Sequence, residues 1–134
     1  MKNKPAILAE LNKVREMTEP EPVVRLFFAK MKKEFFDLTE EERAEFMRKD
    51  RSNLDALGMK AISMINCSEF TSEWDYIGVE AWPSLEAIRE RERFESEELE
   101  ISKYVEYQTY QGAPESFDDY GKIKRCERVG KRHR

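Results

Sequence analysis

Two stretches of this chain are apolar on both faces when read with the two-residue period of a β-strand. In Val23–Met31, the residues Val23, Phe27 and Met31 alternate with Val24, Leu26 and Phe28. In Trp74–Trp82, the residues Ile77, Val79 and Ala81 alternate with Trp74, Tyr76 and Trp82. A strand with one wet face would alternate apolar with polar, so both segments belong in the middle of a sheet that is covered on both sides. Any fold for this chain has to supply that double cover.

The neighbouring residues supply two helices. Thr39 precedes Glu40-Glu41-Glu42, a capping box in which the Thr39 hydroxyl takes a backbone N–H and Glu42 reaches back. The spacing predicts a helix from there to Leu57, stopped by Gly58 as a left-handed cap. Met59 to Cys67 reads as a second strand, and Ser68 to Glu73 as a polar turn. Pro83 closes the third strand, and Ser84 is placed to cap a helix that begins Leu85-Glu86-Ala87-Ile88 and weakens near Ser96. Its apolar side is thin, with Leu85, Ile88 and either Phe94 or Leu99 to bury. Tyr104 to Gln111 reads as a fourth strand ended by Gly112-Ala113-Pro114.

The order β-α-β-β-α-β is that of an α+β, ferredoxin-like domain with an antiparallel four-stranded sheet, and right-handed crossovers give the strand order 4-1-3-2. That order makes the two double-faced segments the central strands. Residues 23–112 form this domain. Residues 1–22 hold an amphipathic helix, with Ile7, Leu8, Leu11 and Val14 on one stripe of Pro5 to Met17, and a proline-containing linker. Residues 113–134 are read as coil and a basic tail. Two helices cover only one face of the sheet, so a second copy packed on the other is the simplest cover, and a homodimer is expected.

Charge and rare residues exclude whole classes of chemistry. Of the 134 residues 39% are charged, with a net charge of −4. The last 13 residues hold seven Lys or Arg against one Glu, so the tail carries +6 and residues 1–121 carry −10. The tail has no aromatic residue for base stacking and no binding-module signature, so a specific nucleic-acid role is not expected. No segment approaches the roughly 18 apolar residues of a membrane span, and Ala6-Ile7-Leu8 is too short for a signal peptide core. Cys67 and Cys126 form neither a disulfide framework nor a metal-ligand spacing, and cytoplasmic residence is expected. The single histidine, His133, stands next to the chain's end, outside the expected domain. Triads, His-ligated haem and His-rich metal sites are therefore not expected, and acid–base work falls to Asp, Glu, Lys or Tyr. Glycines are scattered singly and form no phosphate loop. No cofactor and no metal are expected.

The remaining candidate for chemistry is Glu80. It shares a strand face with Trp74, Tyr76 and Trp82, and Gly78 leaves room beside it. A carboxylate among aromatic rings can serve as a general base; the plainer reading is a solvated group or a pair with an arginine such as Arg25. Tyr76, Trp82 and Tyr107 are the candidate substrate-binding walls. By alternation Tyr104 and Tyr110 share one face of strand four and Tyr107 takes the other. Met47, Met59 and Met64 with Phe46 read as adaptable core filling. Arg89, Arg91 and Arg93 among Glu86, Glu90, Glu92 and Glu95 read as a solvated, salt-bridged helix face.

The strand-to-helix segment Val79-Glu80-Ala81-Trp82-Pro83-Ser84-Leu85-Glu86-Ala87 resembles that of small members of the dimeric α/β-barrel superfamily. The motif spans nine positions, and the element order extends the resemblance over residues 23–112. It implies two ferredoxin-like subunits packed sheet to sheet. That superfamily includes cofactor-independent oxygenases, lyases, isomerases, haem-degrading enzymes and members without known activity. This chain departs from the His-dependent members, since its domain has no histidine. The expectation is a homodimer that binds a small, partly apolar molecule between sheet and helices, with acid–base or oxygenation chemistry at Glu80. The alternative is a non-catalytic interaction or sensing module of the same fold.

Overall fold

β1 (Val23–Met31) is hydrogen-bonded along both edges, as its two apolar faces require. It lies antiparallel to β3 (Tyr76–Trp82) on one side and to β4 (Val105–Gly112) on the other, and β2 (Lys60–Asn66) adds to the outer edge of β3. The order β2-β3-β1-β4 is the expected 4-1-3-2 read from the opposite edge. Among the described residues three helices complete the α+β fold: α1 (Lys33–Asp37), α2 (Glu40–Ala56) and α3 (Leu85–Glu97). The structure is a computed structural model that describes residues 22–122. The helix expected over residues 5–17, its linker up to residue 21 and the tail from residue 123 lie outside the described residues.

Local chemistry starts and stops the elements. Thr39 Oγ1 accepts from the Glu42 N–H at 3.1 Å, and Glu42 Oε1 accepts from the Thr39 N–H at 2.8 Å, closing the capping box. Gly58 takes φ +83°, a conformation open to glycine and strained for other residues, and turns the chain from α2 into β2. Ser84 Oγ accepts from the Ala87 N–H at 3.1 Å and caps α3. α3 then runs unbroken through Ser96 to Glu97, where the sequence suggested weakening. The short α1 has no counterpart in the sequence reading; it buries Phe35, whose ring meets Phe46 of α2. A 3-10 turn, Phe117–Lys122, occupies part of the expected coil.

The strand register sorts side chains onto two faces. Arg25, Phe27 and Ala29 stand opposite Glu80, Gly78 and Tyr76 of β3, on the helix side. Val24, Leu26 and Phe28 stand opposite Ala81, Val79 and Ile77 on the other. Alternation fails just outside the strands. Trp74 precedes β3, and its ring lies 5.5 Å from Phe28, so it belongs to the helix-free face rather than beside Glu80. Tyr104 precedes β4 and meets Phe46 at 5.4 Å, while Tyr110 meets Phe28 edge-on at 6.0 Å. These two tyrosines therefore do not share a face.

The apolar core is Trp82, Ile88 and Leu54, with Val23, Leu57, Met59 and Ala87 around it. Of the three methionines expected to fill core, only Met59 does so; Met47 and Met64 are exposed. β2 is exposed along its whole length. No helix among the described residues is long and apolar enough to cross a membrane.

The Phe27 ring lies directly over Gly78, where a Cβ would overlap it. Gly78→Ala is expected to destabilise the fold by roughly 1–3 kcal/mol in a denaturant titration, with partial recovery in a Phe27→Leu background.

Candidate functional site: a buried charge cluster between sheet and helices

Arg25 sits mid-strand on the inward face of β1 with no solvent exposure, so its charge has to be matched inside the protein. The strand pairing places Glu80 directly across from it, and Arg25 Nε donates to Glu80 Oε1 at 2.7 Å. Two residues along the same face of β3, Trp82 Nε1 donates to the same oxygen at 2.9 Å. The Trp82 ring lies 5.1 Å from the guanidinium carbon, within cation–π range.

α3 supplies the second half of the cluster. Arg91 and Glu95 are one helical turn apart, and Arg91 Nε donates to Glu95 Oε2 at 2.9 Å. The same oxygen accepts from Arg25 Nη2 at 3.2 Å and from the Tyr107 hydroxyl at 3.1 Å, while Arg25 Nη2 also donates to the Tyr107 oxygen at 3.2 Å. Toward α2, Arg91 pairs with the Asp50 carboxylate and donates to Asn53 Oδ1 at 3.0 Å. Arg25, Arg91, Glu80 and Glu95 are all buried, two positive charges against two negative, with the more exposed Asp50 at the solvent end.

Burial opposes the charge on Arg25, but the Tyr107 hydroxyl and the Glu80 and Glu95 carboxylates outweigh it and hold the guanidinium protonated above its ordinary range. Burial, reinforced by the negative Glu95, pushes the Tyr107 phenol well above the usual 10.0. Tyr107 is therefore a hydrogen-bond donor at any neutral pH. One donor in the cluster, Arg25 Nη1, is buried without a hydrogen-bond partner, the only such side-chain atom among the described residues.

Three of the residues singled out in the sequence, Glu80, Trp82 and Tyr107, come together here. Tyr76 stands on the same face, across from Ala29, but outside the hydrogen-bonded set. Glu80 takes the plainer of its two readings in geometry, a pair with Arg25. Sequence reasoning missed Arg91 and Glu95, read there as solvated; Glu86, Arg89, Glu90, Glu92 and Arg93 of that run are exposed as expected, with Arg93 bonded to Glu90 at 2.7 Å. A signal was available, because Ile88, Arg91 and Glu95 fall on one helical stripe, and that stripe is the buried one.

The cluster fills the layer between sheet and helices. Trp82 and Ile88 are fully buried beside it. Two clefts on the surface lie elsewhere: one of about 640 Å³ where β1 begins, α3 begins and β4 ends, and one of about 280 Å³ that includes Phe46 and Tyr104. Glu80 lines neither. Among the described residues no group of His, Cys, Asp or Glu is placed to hold a metal ion.

No protein-family model and no curated protein matches the chain. Solved structures do. A point mutant of chlorite dismutase from Candidatus Nitrospira defluvii is similar with a TM-score of 0.58 at 10% identity, over 84% of this chain and 48% of that one. The chain thus spans about half the length of that relative. A protein of unknown function from Rhodopseudomonas palustris gives a TM-score of 0.47 at 15% identity, over 87% of this chain and 96% of that one. A hypothetical protein from Arabidopsis thaliana gives 0.49 at 13% identity, over 76% and 96%. At such identities the likeness to the chlorite dismutase speaks for the ferredoxin-like fold alone.

Removing one side of the cluster leaves buried charge uncompensated, so Arg25→Met is expected to destabilise the fold by about 3–5 kcal/mol in a denaturant titration. The raised Tyr107 pKa has a definite sign: its stabilisation is fully present below the unfolded value near 10.0 and is lost as pH rises above it. Stability should therefore fall in alkali in the wild type and fall less in Tyr107→Phe, read from thermal unfolding at stepped pH.

Proposed function

We propose that the chain is a self-associating binding module of the dimeric α/β-barrel type, in which the helix-free face of the sheet packs on the same face of a second copy. The observation that carries this reading is the contrast between the two faces. One is sealed by its own charged and aromatic side chains. The other presents Val24, Leu26, Phe28, Ile77 and Val79, with Trp74 and Tyr110 beside Phe28 and no helix of the described residues over them. Aromatic side chains of this kind are the usual anchors of protein interfaces.

Charge supports the same partner. Residues 1–121 carry −10, yet the helix-free face holds Lys30 and Lys60 against Glu106. Two acidic copies would meet there over a face whose own few charges nearly balance. In this reading the Arg25–Glu80–Glu95 cluster holds α3 to the sheet, and self-association rather than turnover is what the fold provides.

Native mass spectrometry of the full chain tests it. A homodimer is expected, and Leu26→Glu or Val79→Glu is expected to give a monomer with unchanged far-UV circular dichroism. A wild-type monomer would overturn the proposal. A small molecule of fixed mass that stays with the wild-type dimer and is lost from a folded Glu80→Gln dimer would instead give Glu80 a ligand-handling role, and the purely self-associating reading would fail.

A further inference from the structure

The larger cleft points to an occupant within the chain itself. Its walls are Pro22, Val23, Leu85 and Ala113 on the apolar side, with Ser84, Gln111 and Gly112 among the rest, and it offers about 640 Å³. Leu85, the first residue of α3, is exposed beside it. Apolar side chains left bare around a concavity favour an apolar occupant.

We propose that Ile7, Leu8, Leu11 and Val14 of the chain's own N-terminal segment seat in this cleft. Position is the first argument. Pro22 is at once a wall of the cleft and the residue from which the preceding 21 residues extend, so the segment is tethered at the rim. Tethering at that distance gives an effective concentration on the order of millimolar, which makes even a modest contact productive. Pattern is the second. The four residues fall at i, i+1, i+4 and i+7, one stripe of a helix, while Lys13 and Glu16 fall on the other side. Thirteen helical residues extend about 20 Å, and residues 18–21, with Pro20 among them, leave length to turn the stripe back onto the cleft.

Charge is the third. Residues 1–21 hold four Lys or Arg and four Glu, net zero, and so add no repulsion when laid on a body whose residues 22–121 carry −10. The cleft lies on the helix side of the sheet, because Val23 and Gln111 share the face of Arg25. The seat is therefore separate from the proposed dimer face, and either proposal can fail without the other.

Hydrogen exchange of the full chain, compared with a Leu8→Asp/Leu11→Asp variant, tests the seat. Amides of residues 84–87 and 111–113 are expected to exchange about tenfold faster in the variant, while those of Leu26 to Ala29 keep their protection. Leu85→Asp, made in the cleft wall, is expected to raise exchange across residues 5–17 to a similar extent. Equal exchange at the cleft in wild type and the double variant would overturn the proposal. Protection of residues 5–17 that survives Leu85→Asp, or that disappears on dilution to monomer, would place the segment elsewhere or on a second copy and overturn it equally.

Discussion

A fully buried guanidinium in the middle of the central strand is the constraint that orders this domain. Arg25 can lose its water only if carboxylates and hydrogen-bond acceptors meet it inside, and they come from three other elements: Glu80 of β3, Glu95 of α3 and the Tyr107 hydroxyl of β4. A slip of one residue in β3 would turn Glu80 to the opposite face and leave the charge unmatched. A quarter-turn of α3 would do the same with Glu95. The cluster adds little net stability over a well-packed apolar core, since desolvation offsets much of the Coulomb gain. What it supplies here is a penalty on every other register and helix placement.

The same cluster explains why the sheet's two faces differ so sharply. Gly78 admits the Phe27 ring, Trp82 lies against Arg25, and Arg91 carries the network from Glu95 out to Asp50 and Asn53 of α2. Side chains thus occupy the layer between sheet and helices in which a ligand would otherwise sit. Among the described residues the helix-free face has no comparable closure. Its apolar and aromatic residues are held by the strand pairing alone, which is the condition in which a second sheet can dock without displacing anything.

Chemistry follows from these arrangements rather than from the fold, which hosts many activities. Glu80 Oε1 is occupied by both Arg25 and Trp82, and Tyr107 is held protonated by burial and by Glu95. Each group is committed to a partner within the protein. Among the surface features of the described residues that are not committed in this way are the apolar sheet face and the cleft beside Leu85.

The amino-acid sequence determined whatever depends on near neighbours. Thr39 with Glu42, Gly58, Ser84 and the alternation within β1 and β3 act over a few residues, so element order, strand order and most boundaries are legible in the sequence itself. Alternation misleads past a strand's end, at Trp74 and Tyr104, because a residue outside the ladder is no longer bound to the pleat. Helix patterning misleads at Arg91 and Glu95, whose partners Asp50, Asn53 and Arg25 lie 38 to 70 residues away in the chain. A charged side chain on a helix goes to water by default, and only a partner brought close by the fold makes its burial tolerable. The pairing of Arg25 with Glu80 stood in the sequence as one option among several; the tertiary structure decided it, because register alone puts those two residues face to face and α3 then closes over them.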